Sequence, residues 1–377
     1  MTFMFVLGRE PKISLAELEA LFSSDKVTPV ASNLALVESD TMIDLDRIGG
    51  SIKVGQILDL RLVDYLSQLP AGKITLGFSD YTPKATTKQT WQLAMKYKSL
   101  LTRHGRSVRL VPNNETPTLS SATSHHNQLG EKLNHIEIIK YKDHWATSIG
   151  TQNITAYAKR DQARPARDAF VGMLPPKLAQ ILINLATCGA PTGHLLDPFC
   201  GTGVVLQEAL LLNYSVYGTD ISDKMVDYSK RNLNWLIASD HQLDDSASAK
   251  LKLAVGDATT FRWQKPINFV VSEIYLGHPL SSPPSEAKLF DFKSDAKHLL
   301  KGFLKNLAPQ LSAGTPVVLA TPAWLRPDGS YSSVDILDEI AELGYNTTKY
   351  RYAAPSDLLY YRENQIVARQ IIVLRKK

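Results

Sequence analysis

The segment HLLDPFCGTG, residues 194–203, ends an apolar run in an acid and follows it with two glycines. Asp197 at the close of a buried strand, with Gly201 and Gly203 behind it, describes a backbone that turns tightly and approaches a ligand closely before a helix begins. A dinucleotide-binding loop needs a third glycine where Leu206 stands, so NAD is not the expected cofactor. Two more acids follow at strand ends, Asp220 in SVYGTDIS and Asp257 in LKLAVGDAT. The first can accept hydrogen bonds from both hydroxyls of a ribose, and the second can receive an adenine amino group. Any one of them alone is an ordinary helix cap. Three at successive strand ends make S-adenosylmethionine the expected cofactor, with Phe199, Ile221 and Ala258 beside the acids as further binding residues.

DPFCGTG and the later strand-end acids resemble the class I methyltransferases that modify exocyclic amino groups of bases. Those enzymes carry Asp-Pro-Pro-Tyr after a later strand, where this chain has Ser272-Glu273-Ile274-Tyr275 following INFVV. Methylating an aromatic amine requires acceptors on its N–H bonds, so that the nitrogen lone pair turns toward the methyl group. It also requires a ring on which a flipped-out base can stack. Tyr275 supplies the ring, and the acceptor is Ser272 or Glu273, depending on the register of the loop. Guanine presents two adjacent donors, N1–H and the N2 amine, which one carboxylate can accept. Adenine and cytosine place an acceptor beside the amine and repel it. Glu273 facing a substrate therefore favours guanine, and the competing reading is a glutamate turned to solvent or paired with an arginine.

Three further segments, FVLGREPKISLAELEALF, LSSATSHHNQLG and RPARDAFVGMLPPKLAQILINLA, are similar to the THUMP-containing tRNA guanosine-10 N2-methyltransferases. The resemblance runs over nearly the whole chain. It implies an N-terminal ferredoxin-like domain and a THUMP domain that capture tRNA, ahead of a Rossmann-like catalytic domain that reaches the target guanine. It also implies tRNA as the partner and guanosine-10 as the target. Eukaryotic relatives use a small activator protein, whose docking surface is not legible here, and a monomer is expected. One rival is a DNA amino-methyltransferase, which DPFCGTG alone permits. The other is a non-catalytic RNA-binding protein with a methyltransferase fold, which the loss of both prolines permits.

Charge supports a nucleic-acid partner. From Lys84 to Lys177 there are fifteen basic and six acidic residues, net +9, so the remainder of a chain of net +5 carries −4. Lys84, Lys88, Lys96, Arg103 and Arg106 in the middle region, with Arg164 and Arg167 after it, are the expected phosphate contacts, which give affinity and register without naming a base. Cys188 and Cys200 form no CxxC pair, and the adjacent His125 and His126 have no third ligand at a fitting spacing, so no metal is expected. No G-x-S-x-G elbow marks a hydrolase. The chain opens without a basic segment before its short apolar run and has no long uncharged apolar stretch, so a cytoplasmic protein is expected.

TFMFVLG is a strand, SLAELEALF a helix capped by Ser14, and NLALVES a strand, which gives a ferredoxin-like domain over 1–70. KITLGFSDY, the basic helix KQTWQLAMKYKSLLTRHG, SVRLVP and the paired strands of HIEIIKYKDHWATSIGTQ give a THUMP-like domain over 71–152. Residues 153–174 mix Arg, Asp and Pro without a period and read as a linker. From Pro175 and Pro176, which open the helix PKLAQILINLA, strands and helices alternate to the end. That order predicts a mostly parallel, doubly wound Rossmann-like sheet over 175–377.

Overall fold

The computed structural model describes residues 1–168, 173–240, 243, 245–363 and 365–377. Residues 169–172, part of the RPARDAFVGMLPPK segment, lie outside the described residues. Contacts divide the chain into two units, Met1–Pro11 with Phe22–Ala156 and Lys12–Leu21 with Tyr157–Lys377.

The first unit is built on one eight-stranded sheet. Its strands are β1 (Thr2–Leu7), β2 (Val27–Ala31), β3 (Leu34–Glu38), β4 (Ser51–Ile57), β5 (Ile74–Asp80), β6 (Val108–Leu110), β7 (His135–Tyr141) and β8 (His144–Thr151), in the order β2-β3-β1-β4-β8-β7-β5-β6. β1 is buried along five of its six residues, as a continuous apolar run in a central strand should be. No break in the sheet falls at residue 70: β4 pairs with β8 from Lys53 opposite Thr151 to Ile57 opposite Ala146, which joins the strands of both expected N-terminal domains.

Helix α1 (Pro11–Phe22) starts three residues before the expected cap, since Pro11 fits a first turn and Ser14 is buried inside the helix. Its residues Lys12–Leu21 count with the second unit, where Glu17 accepts from Asn184 Nδ2 at 2.7 Å and Glu19 from the backbone N–H groups of Arg351 and Tyr352 at 2.7 and 2.9 Å. Within the first unit lie α2 (Leu62–Ser67), α3 (Thr87–Arg103) and α4 (Ser121–His126). Thr86 caps α3 in a reciprocal capping box with Gln89, a device that fixes where this long basic helix begins.

The expected linker opens as a helix, α5 (Ile154–Gln162), and from Tyr157 onward it is part of the second unit. Arg160 of α5 forks onto the buried carboxylate of Glu208 with bonds of 2.6 and 3.1 Å. After α6 (Pro176–Thr187) come β9 (His194–Asp197), α7 (Val204–Leu211), β10 (Ser215–Asp220), α8 (Asp223–Ser239), β11 (Leu251–Val255), β12 (Phe269–Glu273), α9 (Glu286–Leu307) and β13 (Pro316–Leu325). Short strands β14 (Tyr331–Ser333), β15 (Tyr345–Thr347) and β16 (Leu359–Tyr360) precede the long β17 (Val367–Lys376). The sheet runs β11-β10-β9-β12-β13-β17-β15, with β9 to β13 parallel and β17 antiparallel to β13. One core packs α6 and α7 against one face, and a second packs α9 against the other. This is the mixed α/β, Rossmann-like sheet read from the alternation. No helix among the described residues is long and apolar enough to cross a membrane.

Candidate active site

From β9 the chain winds outward through β10 to β11, then returns to the other side of β9 to lay down β12. The crevice at such a reversal, beyond the carboxyl ends of the strands, is where open α/β sheets bind ligands. A cavity of about 550 Å³ opens there, within the ordinary range of small-molecule sites. It is lined by Asp197 at the end of β9, Asp220 at the end of β10, Asp257 after β11, and Glu273 and Tyr275 at the end of β12. Four acids that are distant in sequence therefore line one cavity because each ends, or closely follows, a neighbouring strand.

Of the residues expected at the cofactor, Asp197, Phe199, Gly201, Asp220, Ile221, Asp257 and Ala258 all line this cavity. Asp220 accepts the Gly201 N–H at 2.9 Å and the Ser222 N–H at 3.0 Å, one on each oxygen. The carboxylate is thus fixed with lone pairs to spare. Ile221, 72% exposed, lays an apolar side chain at the rim. Gly201 has φ 50°, and a Cβ there would meet nothing nearer than the Phe199 carbonyl oxygen at 4.0 Å. Gly203 does not line the cavity and is corrected to a packing role. It caps α7 at φ 83°, and a Cβ there would meet Ser229 Oγ at 2.9 Å.

The loop after β12 divides the roles expected of it. Tyr275 stands 52% exposed and lies edge-on to His278. Ser272 is wholly buried, and its Oγ donates to Asp197 Oδ1 at 2.5 Å. It is therefore corrected from substrate acceptor to internal support. Glu273 lines the cavity but is not a bare carboxylate, since its Oε1 accepts from Arg369 Nε at 2.6 Å.

Burial weights the ionisation of these groups. Asp197 is pushed up to about 7, first by burial and then by the charges of Asp220 and Glu273, against the hydrogen bonds from Ser272 and the Phe199 N–H. Burial also raises Asp220 against three backbone hydrogen bonds, and raises Glu273 against the Arg369 charge.

The expected phosphate contacts separate in the same way. Lys84, Lys88, Lys96 and Arg103 are exposed, as is Arg167, which also donates to the Gln162 carbonyl at 3.2 Å. Arg164 is corrected: it is 3% exposed, 3.4 Å from Thr202 Oγ1 and paired with Asp161 at 3.8 Å, and burial lowers its pKa. Arg106 spends its guanidinium on the carbonyls of Leu69 at 2.8 Å and Gly72 at 3.3 Å, and on that of Pro70. Sequence reasoning missed Arg369, although a lone arginine in the apolar run VARQIIVL signals a buried partner. It also missed Lys224 and Asp168, a 2.8 Å ion pair whose members both line the cavity.

Residues 164–302 match a family described as an RMKL-like methyltransferase domain, and residues 80–231 match one described as DNA methylase. A tRNA (guanine(10)-N2)-dimethyltransferase of Methanothermobacter thermautotrophicus is 30% identical over 47% of this chain and 48% of its own length. One from Pyrococcus abyssi is 40% identical over 22% of this chain and 24% of its own. A "Probable tRNA (guanine(10)-N2)-dimethyltransferase" of Methanothermococcus thermolithotrophicus is 30% identical over 40% of this chain and 83% of its own length. The chain thus spans half or less of the length of the first two relatives and most of the third. A solved SAM-dependent methyltransferase from Methanosarcina mazei is 15% identical with a TM-score of 0.33, over 48% of this chain and 92% of that one.

Proposed function

This chain belongs to the family of the tRNA (guanine(10)-N2)-methyltransferases, and on that premise we propose that it transfers a methyl group from S-adenosylmethionine to the N2 amine of a tRNA guanosine, guanosine-10 in the first instance. The observation that carries the reading is one cavity at the sheet reversal that gathers three strand-end acids and an exposed tyrosine. When bound, S-adenosylmethionine supplies an electrophilic methyl on a sulfonium. Asp220 and Asp257 hold the nucleoside portion, and Asp197 presents a negative charge, once ionised, to the cationic portion.

Tyr275 stacks the flipped guanine, and Glu273 accepts from its amine and N1–H. Held there, the amine nitrogen would bond to the methyl carbon as the carbon–sulfur bond breaks and S-adenosylhomocysteine leaves as a neutral thioether, and its proton would pass to the Glu273 carboxylate or to water, so no strong base is needed. The N-terminal unit, with its basic α3, serves to hold the tRNA as a THUMP-bearing half would, and the setting for such work is the cytoplasm. The match to a DNA methylase family keeps duplex DNA as the second substrate to test, because it overlaps the catalytic motif DPFCGTG.

The test incubates the protein with labelled S-adenosylmethionine and either unmodified tRNA or duplex DNA, then digests the product to nucleosides. Label in N2-methylguanosine is expected from tRNA. Label only in DNA, or none despite measurable cofactor binding, overturns the reading.

A further inference from the structure

Three successive residues, Ser272 and Glu273 at the end of β12 and Ile274 just beyond it, tie down the start of the loop that follows. Ser272 Oγ reaches Asp197 at 2.5 Å, Glu273 Oε1 reaches Arg369 at 2.6 Å, and Ile274, 1% exposed, sends its N–H to the Ala320 carbonyl at 3.0 Å. Prolines would restrain such a loop through fixed φ angles. Here buried contacts do it instead.

Arg369 is the least expected of these anchors. It lies in β17 opposite Pro322 of β13, 3% exposed, in a strand otherwise rich in apolar side chains. A guanidinium so placed needs partners in two directions, and it has them: Nε donates to Glu273, and Nη2 donates to the Met173 carbonyl at 3.3 Å. Met173 belongs to the segment leading into α6, so one side chain links that segment to the cavity wall. Glu273 has one oxygen in this grip. No hydrogen bond reaches its Oε2 among the described residues, and the residue lines the cavity.

We propose that Arg369 is the positioning residue of the methyl-acceptor site, gripping one oxygen of Glu273 and the Met173 carbonyl so that the other oxygen of Glu273 is held toward the amine and adjacent N–H of the bound base. The inference rests on reading the cavity as a base methyltransferase site. It moves the acceptor from the first loop position, where Ser272 is spent on Asp197, to the second. The role calls for arginine, because a lysine ammonium lacks the planar fork that serves two fixed acceptors at once.

The full-length chain is compared with Arg369→Lys, Arg369→Met, Glu273→Gln and the double variant Arg369→Met/Glu273→Gln. Arg369→Met is expected to lower kcat by about a hundredfold while S-adenosylmethionine affinity stays near that of the wild type. Arg369→Lys should fall between the two. The double variant should be no slower than Glu273→Gln, since glutamine has no second oxygen for the arginine to hold toward the base. Additive losses in the double variant, or equal losses in kcat and cofactor affinity for Arg369→Met, overturn the proposal.

Hydrogen exchange supplies a readout that needs no turnover. In Arg369→Met the amides of residues 273–277 should exchange about tenfold faster while those of β13 keep their protection. Unchanged exchange at 273–277 overturns the proposal even in a silent enzyme. A wild type that binds cofactor but methylates nothing, with the expected exchange pattern, defeats the methyltransferase reading and leaves the hold of Arg369 on the loop in place.

Discussion

Ser272 and Asp197, at the ends of adjacent parallel strands, are joined by a 2.5 Å hydrogen bond in which the hydroxyl donates to the carboxylate. The bond bears on the ionisation of the proposed cofactor site, because it is one of two hydrogen bonds that oppose the burial of Asp197. A cationic ligand favours the ionised acid. S-adenosylmethionine affinity should therefore rise as pH climbs through about 7, with net proton release on binding. Ser272→Ala removes a donor to the carboxylate and should move that midpoint upward. Calorimetry in buffers of different ionisation enthalpy measures both, and a pH-independent affinity with no proton release contradicts the assignment.

The same acid makes the free protein sensitive to pH. Its folded pKa of about 7 lies above the reference 3.8, so the fold binds the proton more tightly than the unfolded chain does. That stabilisation is complete below the reference value and is lost as pH rises toward the folded one. Tm should fall across this window in the absence of ligand. Asp197→Asn should remove part of the slope and leave the part due to Asp220, Glu208 and Glu273, which burial shifts in the same direction. A Tm that climbs over the window would contradict this account.

Tyr275 offers a cleaner separation of binding from turnover. Half exposed at the cavity, it has little packing to lose, so Tyr275→Ala should leave Tm and cofactor affinity nearly unchanged. The loss of base stacking, worth about 1–3 kcal/mol, should appear as a kcat/KM for RNA reduced by roughly ten- to a hundredfold. Tyr275→Phe should recover most of it. An alanine variant that loses cofactor binding would place the ring on the cofactor instead.

What the sequence disclosed about this site was whatever chain order and periodicity fix. Asp197, Asp220 and Asp257 could be placed together because each ends a strand in an alternating pattern, and parallel winding brings strand ends into line. The partner of Glu273 could not, because Arg369 reaches it from a strand 96 residues later that enters the sheet antiparallel. Nothing local in either segment encodes that meeting. Ser272 looked free for the same reason, since only the β9–β12 pairing shows that its hydroxyl faces Asp197. In the N-terminal half, hydrophobic runs locate the strands but not the register that pairs them across residue 70. The β4–β8 pairing that crosses it is a long-range register with no sequence signature.

Basic residues of similar appearance should behave differently toward RNA. Helix α3 carries Lys88, Lys96, Lys98 and Arg103 and no acid, and Lys88, Lys96 and Arg103 are exposed. Changing any of these three to alanine should weaken tRNA binding and lower the slope of log K against log salt by about one, with Tm unaffected. Arg106→Ala and Arg164→Ala should instead lower Tm, because the first side chain secures three carbonyls and the second is buried. Filter binding over a salt series with melting curves distinguishes the two groups. Equal salt slopes for Arg106→Ala and Lys96→Ala would erase the distinction.

Stability of the N-terminal unit should hinge on a charge that sequence alone would leave at the surface. Lys53 and Glu137 are both 0% exposed and lie 2.5 Å apart, Nζ to Oε1. Lys53 also donates to the Leu119 carbonyl at 2.7 Å, while Ser79 and Ser124 donate to the two oxygens of Glu137 at 2.5 and 2.6 Å. The cluster thereby fastens the segment from Leu119 into α4 onto β4, β5 and β7. Lys53→Met leaves a buried carboxylate without its counter-charge and should cost about 3–5 kcal/mol in urea unfolding. Glu137→Gln keeps an acceptor for the lysine but strands its charge, and should cost a comparable amount. The double variant Lys53→Met/Glu137→Gln buries no charge and keeps the serine contacts, so it should be more stable than either single change. If the two losses simply add, the pair is not coupled and the loop owes its position to packing.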